Sequence, residues 1–419
     1  MHLPFLVFSD KNGKIYSHPS LRMAAAHLHA STVPKESELI RLPQGSTFFH
    51  LPGRIPLGFN HRTQQFEPVF EFQGKEIYAV GAFLIPAYLR LYTPATVIKR
   101  RKILPLWAYT AVGFYGDSFY VTAKRIDNRI RQSPRFYDAR RIKNKVRIFL
   151  KKYPKNRLYK HLANCALNYN CLAAKNLFLG RWEAPLPTAR VCNARCIGCL
   201  SFQEAECLPS HQRIHFKPNV SEIVQVMENH LKGAKEAIVS FGQGCEGEPL
   251  LEVDTIAPSI EQVRRKIQRG TINMNTNASI PKNIEILCKA GIDSFRVSLN
   301  SAQRTLYKLY FRPRNYTFRD VLKSIEIAKK YRKFVSVNLF VSPGLSDSVK
   351  EIKALIQFIR QTGVDMIQWR NLNIDPDYYL QSLPQSNIQS KGVLYLVEVI
   401  KKEFPQLKMG YFNLPKEKF

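Results

Sequence analysis

Residues 270–301, GTINMNTNASIPKNIEILCKAGIDSFRVSLNS, decide the fold. Two short runs with strand character, 271–276 and 294–300, flank a run with helical spacing at 281–291. Pro281 suits the first turn of that helix, and Gly291 suits its end. A strand, a helix and a strand in this order predict a right-handed βαβ unit, which belongs to a parallel sheet.

The same alternation continues on both sides of this unit. Four further strands are predicted at 187–191, 237–241, 334–341 and 366–371. Four further helices are predicted at 220–232, 259–269, 318–331 and 349–363. Six strands that alternate with helices predict an α/β fold, a partial (β/α)6 TIM-like barrel.

In such a barrel, reactive groups gather at the carboxyl ends of the strands, and the unusual polar residues of this chain follow that rule. Five of the six predicted strands end in such a sequence: the cysteine loop RVCNARCIGCLSF (190–202), GQGCEGEPLL (242–251), NTNAS (275–279), SLNS (298–301) and RNLNID (370–375). We therefore expect these segments to meet at one edge of the sheet.

The cysteine loop contains three thiols, Cys192, Cys196 and Cys199. A disulfide framework requires an even number of cysteines, and a structural zinc site requires four ligands. Thiolates select zinc, copper or iron–sulfur clusters, and a cubane cluster normally has four protein thiolates. Three thiols therefore indicate a metal centre that keeps one position open for a non-protein ligand.

The CxxxCxxC spacing, together with the GEP sequence at 247–249, resembles the radical S-adenosylmethionine (radical SAM) superfamily. The resemblance covers residues 183–375. It implies that Cys192, Cys196 and Cys199 hold a [4Fe-4S] cluster whose fourth iron chelates SAM. It also implies that one electron from the cluster cleaves SAM and yields a 5′-deoxyadenosyl radical, which abstracts hydrogen from a substrate.

The resemblance extends to the contacts with SAM. The positions that match the family's SAM-binding sequences are Gly247, Glu248, Pro249, Asn275, Thr276, Asn277, Ser298, Asn300 and Arg370. The family resemblance assigns Glu248 to the methionine ammonium, and Ser298 and Asn300 to the SAM carboxylate or ribose. Arg370 would meet the carboxylate or form a structural salt bridge.

Two positions depart from the family pattern. Gly198 stands where the family usually has an aromatic residue that touches adenine, so Phe202 or Phe241 is expected to support adenine instead. Glu246 stands in place of the first glycine of the family's GGEP sequence. We expect neither departure to prevent cluster binding.

The remaining cysteines leave two interpretations open. Cys165 and Cys171 are either buried free thiols or ligands of an auxiliary Fe-S cluster completed by Cys207 or Cys245. Cys288 lies within a helical pattern and is expected in the core.

The other regions predict four parts. Residues 1–123 carry short apolar runs between turn signals and predict a β-rich N-terminal domain. Residues 124–182 predict a basic, mostly helical connector, 183–385 the barrel, and 386–419 a C-terminal helix and tail. Hydrophobic residues make up 45% of the chain, which excludes a disordered protein.

Charge is the second informative feature. The formal net charge is +31, and residues 124–160 hold fifteen Lys and Arg against two acids, which gives +13. Such an excess favours a polyanionic partner, and interleaved aromatic residues such as Tyr153 and Tyr159 could stack on RNA bases. A solvated helical connector explains the same composition.

Three functions follow from these observations. The first is a radical SAM enzyme that acts on RNA or an RNA-associated molecule; the second is a radical SAM enzyme with a peptide, protein or small-molecule substrate. The third is a non-catalytic iron–sulfur protein that binds nucleic acid. The resemblance implies an electron donor such as a flavodoxin or a ferredoxin, and without a signal peptide or transmembrane segment in the sequence we expect a cytoplasmic protein.

Overall fold

Antiparallel sheet precedes parallel sheet along this chain. The computed structural model describes residues 3–28, 30–100, 102–203, 209–384 and 388–419. The antiparallel part has fifteen strands: β1 (Phe5–Asp10), β2 (Ile15–Met23), β3 (Ala25–His27), β4 (Ala30–Thr32), β5 (Leu39–Arg41), β6 (Thr47–Leu51), β7 (Arg54–Asn60), β8 (Gln65–Pro68), β9 (Glu71–Phe72), β10 (Lys75–Phe83), β11 (Tyr88–Arg90), β12 (Thr93–Pro94), β13 (Thr96–Ile98), β14 (Val112–Tyr115) and β15 (Ser118–Arg125). Twelve of them form one sheet, and β12, β3 and β4 form a second.

Three helices follow: α1 (Ala139–Lys152), α2 (Arg157–Leu167) and α3 (Leu172–Leu179). Asp138 begins α1 because its side chain accepts a hydrogen bond from the Arg141 backbone N–H. Ile142 and Val146 of α1 are buried in the same core as the parallel sheet. The basic segment is therefore packed against the rest of the protein along its apolar face. Within the described residues, no helix has both the length and the apolar character that crossing a membrane requires.

The second half is a parallel sheet whose strands lie in chain order. Its strands are β16 (Arg181–Pro185), β17 (Lys235–Phe241), β18 (Thr271–Thr276), β19 (Ser294–Leu299), β20 (Phe334–Val341), β21 (Met366–Asn371) and β22 (Lys408–Gly410). Its helices are α4 (Val220–Gly233), α5 (Val253–Arg264), α6 (Pro281–Ala290), α7 (Arg304–Phe311), α8 (Phe318–Lys330), α9 (Val349–Thr362), α10 (Pro376–Gln381) and α11 (Val393–Glu403). This confirms the predicted α/β fold, a partial barrel preceded by a β-rich region.

Two details of the predicted barrel are wrong. The first strand lies at Arg181–Pro185 and not at 187–191, because residues 186–191 lead from the sheet into the cysteine loop. Helix α5 begins at Val253, six residues before the predicted start, and accommodates Pro258 in its interior. The short strand β22 adds a seventh parallel strand that the sequence did not indicate.

Side chains alternate across the parallel strands, as the period of two requires. On β19, Phe295, Val297 and Leu299 are buried in the apolar core. On the other face of that strand, Ser294 bonds to Asn273 of β18. The concave face of the curled sheet, which we call the lumen, is therefore lined by polar side chains.

The N-terminal sheet docks on the segment that follows β21. Arg54 Nη2 lies 3.1 Å from Asp375 Oδ2, and both side chains are almost fully buried. Arg90 Nη2 donates to the carbonyl oxygen of Leu372 at 2.9 Å. These buried guanidinium groups of the N-terminal region have acceptors in the segment after β21. The contacts hold the N-terminal region beside the carboxyl ends of the parallel strands.

Candidate active site

The cysteine loop is fastened to the end of α7. The backbone N–H of Ile197 donates to the carbonyl of Tyr310, and that of Arg195 donates to Phe311. Burial, followed by the neighbouring Glu248 carboxylate, raises the pKa of the Cys192 thiol to about 12. Burial and the other two thiols raise the pKa of Cys196 well above its usual range. Thiols enclosed in this way need a positive centre to become thiolates.

The loop after β17 lies directly on the cysteine loop. Gly247 N–H donates to the Ala189 carbonyl at 2.7 Å, and Glu248 N–H donates to the Val191 carbonyl at 2.9 Å. A Cβ atom on Gly247 would stand 1.9 Å from the Val191 oxygen. Only glycine allows the two loops to approach so closely, and Pro249 then begins a short turn into α5.

The Glu248 carboxylate connects this loop to the end of β18. Its Oε1 accepts from Thr276 Oγ1 at 2.5 Å and from Leu250 N–H at 3.1 Å, and its Oε2 accepts from Asn277 N–H at 2.8 Å. Burial raises the pKa of this carboxyl group to about 7, although the hydrogen bonds oppose the shift. A carboxylate has about four acceptor sites, so about one of them, on Oε2, is open to a cationic ligand.

The two asparagines at the end of β18 serve as bridges. Asn275 Nδ2 donates to the Gly242 carbonyl at 2.9 Å. Asn277 Nδ2 donates to Oδ1 of Asn193 in the cysteine loop, also at 2.9 Å. The structure therefore brings Asn275, Thr276 and Asn277 into the predicted site, where they tie the loops together.

The predicted residues of β19 and β21 line the lumen. Asn300 donates to Leu306 O and Tyr379 Oη, while its buried Oδ1 has no hydrogen-bond partner in the described part of the chain. Ser298 lies two residues earlier on the same face. Arg370 stacks on the Tyr411 ring with its guanidinium carbon 3.8 Å from the ring centroid.

Two residues with important contacts were not recognised as such in the sequence. Glu246 is buried and accepts four backbone hydrogen bonds, two from residues 188–189 and two from residues 242–243. Tyr310 of α7 stands beside Gly198, where an added Cβ would be 2.9 Å from the tyrosine hydroxyl. The ring of Tyr310, which belongs to α7, thus lies against the cysteine loop at Gly198. Phe241 is fully buried in the core, so its expected contact with adenine is wrong.

A second guanidinium, Arg296, lies deeper in the lumen. Its Nη1 donates to Gln368 Oε1 at 3.3 Å, and its Nε has no partner within the described ranges. Burial, followed by the charge of Arg370, lowers the pKa of Arg296 to about 9, while Glu183 opposes the shift. Among the residues described, no carboxylate forms an ion pair with Arg296 or Arg370. The signal in the sequence was a charged residue within an otherwise buried strand.

The basic segment uses its aromatic residues internally. Tyr153 and Tyr159 stack on each other with centroids 5.0 Å apart, and Tyr159 is fully buried. The prediction that Tyr159 is available for stacking on bases is therefore wrong, whereas Tyr153 is half-buried. The cations of α1 that face solvent are Arg140, Arg141, Lys143, Lys145, Arg147, Lys151 and Lys152.

Comparison with known proteins agrees with this geometry. Residues 186–359 match the family model of the radical SAM superfamily. A probable GTP 3′,8-cyclase of Thermococcus kodakarensis is 34% identical over 194 residues, which cover 44% of this chain and 56% of that protein. The chain thus matches a little over half the length of this curated relative.

Solved structures with a similar fold include Streptococcus suis SuiB bound to its precursor peptide SuiA, with a TM-score of 0.40, 15% identity and coverage of 61% of this chain and 53% of that one. Methylornithine synthase PylB has a TM-score of 0.40 and 14% identity, and the match covers 64% of this chain and 77% of that one. The enzymes of the matched family use a [4Fe-4S] cluster and SAM. The likeness to the radical SAM superfamily thus rests on residues 186–359, which contain the cysteine loop, the GEP sequence and the strands β17 to β20.

Proposed function

We propose that this radical SAM enzyme holds its cluster on Cys192, Cys196 and Cys199 and acts on a small anionic molecule bound in the lumen. The donor set fits the cluster, because three soft thiols on one loop interact electrostatically with one another. Their burial fits it as well, because the iron centre supplies the positive charge that buried thiolates need. The cluster and SAM, when bound, supply the electron and the 5′-deoxyadenosyl radical that abstracts hydrogen.

The residues around the cysteine loop would bind and orient SAM. The open acceptor site on Glu248 Oε2 suits the methionine ammonium, and the unpartnered Oδ1 of Asn300 suits a hydroxyl donor. Asn275, Thr276 and Asn277 would hold these groups in place through the bridges described above. Tyr310, beside Gly198, would limit the space on that side of the cofactor.

The observation that supports the substrate class is the pair of lumen arginines. A guanidinium group presents five donors and favours carboxylate and phosphate, yet neither Arg296 nor Arg370 is ion-paired among the described residues. An anionic substrate would supply the missing ion-pair partner of both guanidinium groups. The curated relative is a probable GTP cyclase, which favours a phosphate-bearing small molecule.

Release of 5′-deoxyadenosine tests this proposal. Anaerobic, cluster-loaded protein with SAM and dithionite is assayed with anion-exchange fractions of a low-molecular-weight metabolite extract and with GTP. We expect an anionic fraction to stimulate release, and Arg296→Met to raise its half-maximal concentration by about 30-fold or more. Arg265→Met, at an exposed position after α5, is the matched control.

Cys196→Ala should abolish both the brown chromophore and SAM cleavage. If SAM cleavage survives without the chromophore, the cluster assignment is wrong. If only uncharged fractions stimulate the enzyme, or if Arg296→Met behaves like the control, the substrate assignment is wrong.

RNA is the second candidate substrate, and the exposed cations of α1 favour it. Binding of tRNA fragments should then weaken steeply with salt and should be lost when Lys143, Lys145 and Arg147 are changed to glutamine. The same loss should appear in SAM cleavage stimulated by RNA. A binding constant that does not change with salt would exclude this candidate.

An electron donor would dock on a basic groove beside the cysteine loop. The groove has a volume of about 660 Å³ and is lined by Arg195, Lys308, Arg312, Arg314 and four other residues. A smaller pocket that includes Cys196 shares Arg195 and Arg312 with it. Within the described part of the chain, Lys308, Arg312 and Arg314 form no ion pair. An acidic flavodoxin or ferredoxin matches this charge and would approach close to the cluster.

The donor proposal predicts a selective defect. Lys308→Glu with Arg314→Glu should slow SAM cleavage driven by reduced flavodoxin and leave cleavage driven by dithionite unchanged. Lys353→Glu, on the exposed face of α9, should change neither rate. Equal slowing with both reductants would contradict a docking role.

A further inference from the structure

A second group of metal-binding side chains lies between α2 and the loop after β17. His161 and Cys165 project from α2, and Cys245 precedes Glu246 in the loop. One ligand atom from each lies within 4.8 Å of the other two. The spacing of four residues along α2 places the imidazole and the thiol on the same face of the helix.

The distance between the imidazole and one thiol of this group matches binding to a single metal ion. The Cys165 Sγ to His161 Nε2 distance is 3.5 Å. Zinc binds sulfur at about 2.3 Å and imidazole nitrogen at about 2.0–2.1 Å, so the edge between two such ligands of a tetrahedron is about 3.5 Å. In a [4Fe-4S] cluster each ligand binds a different iron, so the ligand atoms must lie farther apart.

Cys171 is the proposed fourth ligand, and its sulfur must move closer, since only the ligand atoms of His161, Cys165 and Cys245 lie within 4.8 Å of one another. It begins α3, and its backbone N–H donates to the Cys165 carbonyl at 2.9 Å. All three cysteines are free. The set is one imidazole and three thiols, a combination typical of structural zinc.

We propose that His161, Cys165, Cys171 and Cys245 form a mononuclear zinc site, separate from the [4Fe-4S] site. The zinc would replace the auxiliary Fe-S cluster considered from the sequence, in which Cys207 was the alternative to Cys245. Cys207 lies outside the described residues. Because Cys245 adjoins Glu246 and Gly247, the ion would fix α2 to the loop that contacts the cysteine loop. This inference does not depend on the proposed substrate.

Metal analysis of the anaerobically purified full-length protein tests the site. We expect one zinc per chain in addition to the four irons of the cluster. Cys165→Ser and His161→Ala should lose the zinc and keep the iron. Each should lower zinc affinity by at least about 10–100-fold, the effect of losing a group that only hydrogen-bonds to a metal ligand. Cys288→Ser, in the buried face of α6, is the matched control and should keep both metals.

A second measurement covers variants that fail to fold. In the Cys192→Ala, Cys196→Ala, Cys199→Ala chain the cluster is absent, so added Co²⁺ should give the intense visible bands of tetrahedral cobalt thiolate. Adding Cys165→Ser to that chain should remove the bands. The proposal is overturned if the full-length protein neither contains zinc nor gives these bands. It is also overturned if extra iron, rather than zinc, disappears with Cys165→Ser.

Discussion

Glu246 should be among the most costly residues to replace outside the cysteines. Oε1 accepts from the N–H groups of Gly242 and Gln243 at 2.7 Å each, and Oε2 accepts from Thr188 and Ala189 at 2.7 and 3.0 Å. Glu246→Ala leaves these four donors, two of them buried and two partly buried, without an acceptor. At about 1 kcal/mol each, the lower end of the usual cost, the free energy of unfolding falls by about 4 kcal/mol. Glu246→Gln, which keeps one oxygen, should cost about half as much.

Thermal unfolding followed by circular dichroism measures the effect. For a domain of this size, about 4 kcal/mol corresponds to a decrease in Tm of about 8–16 °C. Glu246→Gly restores the residue of the family sequence, but it should be no better than alanine because the same donors lose their acceptor. Glu261→Ala, at an exposed position on α5, should change stability by no more than about 0.5 kcal/mol. A decrease in Tm of less than about 2 °C for Glu246→Ala would refute the role of Glu246 in holding the two segments together.

Three further predictions concern the loops and the domain boundary. Gly247→Ala should destabilise the protein by about 1–3 kcal/mol and weaken SAM binding in calorimetry, whereas Gly233→Ala, which meets no atom within 4 Å, should do neither. Because the pKa of Glu248 is about 7 and SAM would favour its ionised form, SAM should bind about tenfold more tightly at pH 8 than at pH 6. Glu248→Gln should make that affinity independent of pH, and a wild-type affinity equal at both values would contradict the contact. Arg54→Met leaves the buried Asp375 unpaired, so stability should fall by about 3–5 kcal/mol and proteolysis between the two halves should become faster; unchanged proteolysis would count against the docking contact.

The sequence predicts the parallel sheet well because strand and helix periods alternate in it without interruption. Five of the six predicted strands agree with the structure to within two residues. The convergence of the cysteine loop, the GEP loop and the end of β18 also follows from sequence, since parallel strands bring their carboxyl ends to one edge.

The parts of the site that the sequence does not predict depend on contacts between distant segments. In the sequence, Glu246 is visible only as a departure from a family glycine. Its role depends on four backbone donors from two different loops, which the sequence alone does not bring together. Tyr310 could not be connected with Gly198, since they are 112 positions apart and meet only when α7 packs on the cysteine loop. Arg296 is visible in the sequence only as a charged residue within a buried strand, and its place in the lumen depends on the curvature of the sheet.

The ion pair between Arg54 and Asp375 joins residues 321 positions apart. At about 5–20 residues per second, a ribosome needs about 16–64 s to reach Asp375 after it has made Arg54. Throughout that interval the N-terminal strands must hold their structure without the contacts to this segment. The guanidinium groups of Arg54 and Arg90 remain hydrated because their acceptors have not yet been synthesised. Docking of the N-terminal sheet is therefore a late event in synthesis of the chain. A pause in translation before residue 371 would leave the docking surface around Arg54 and Arg90 open to other partners.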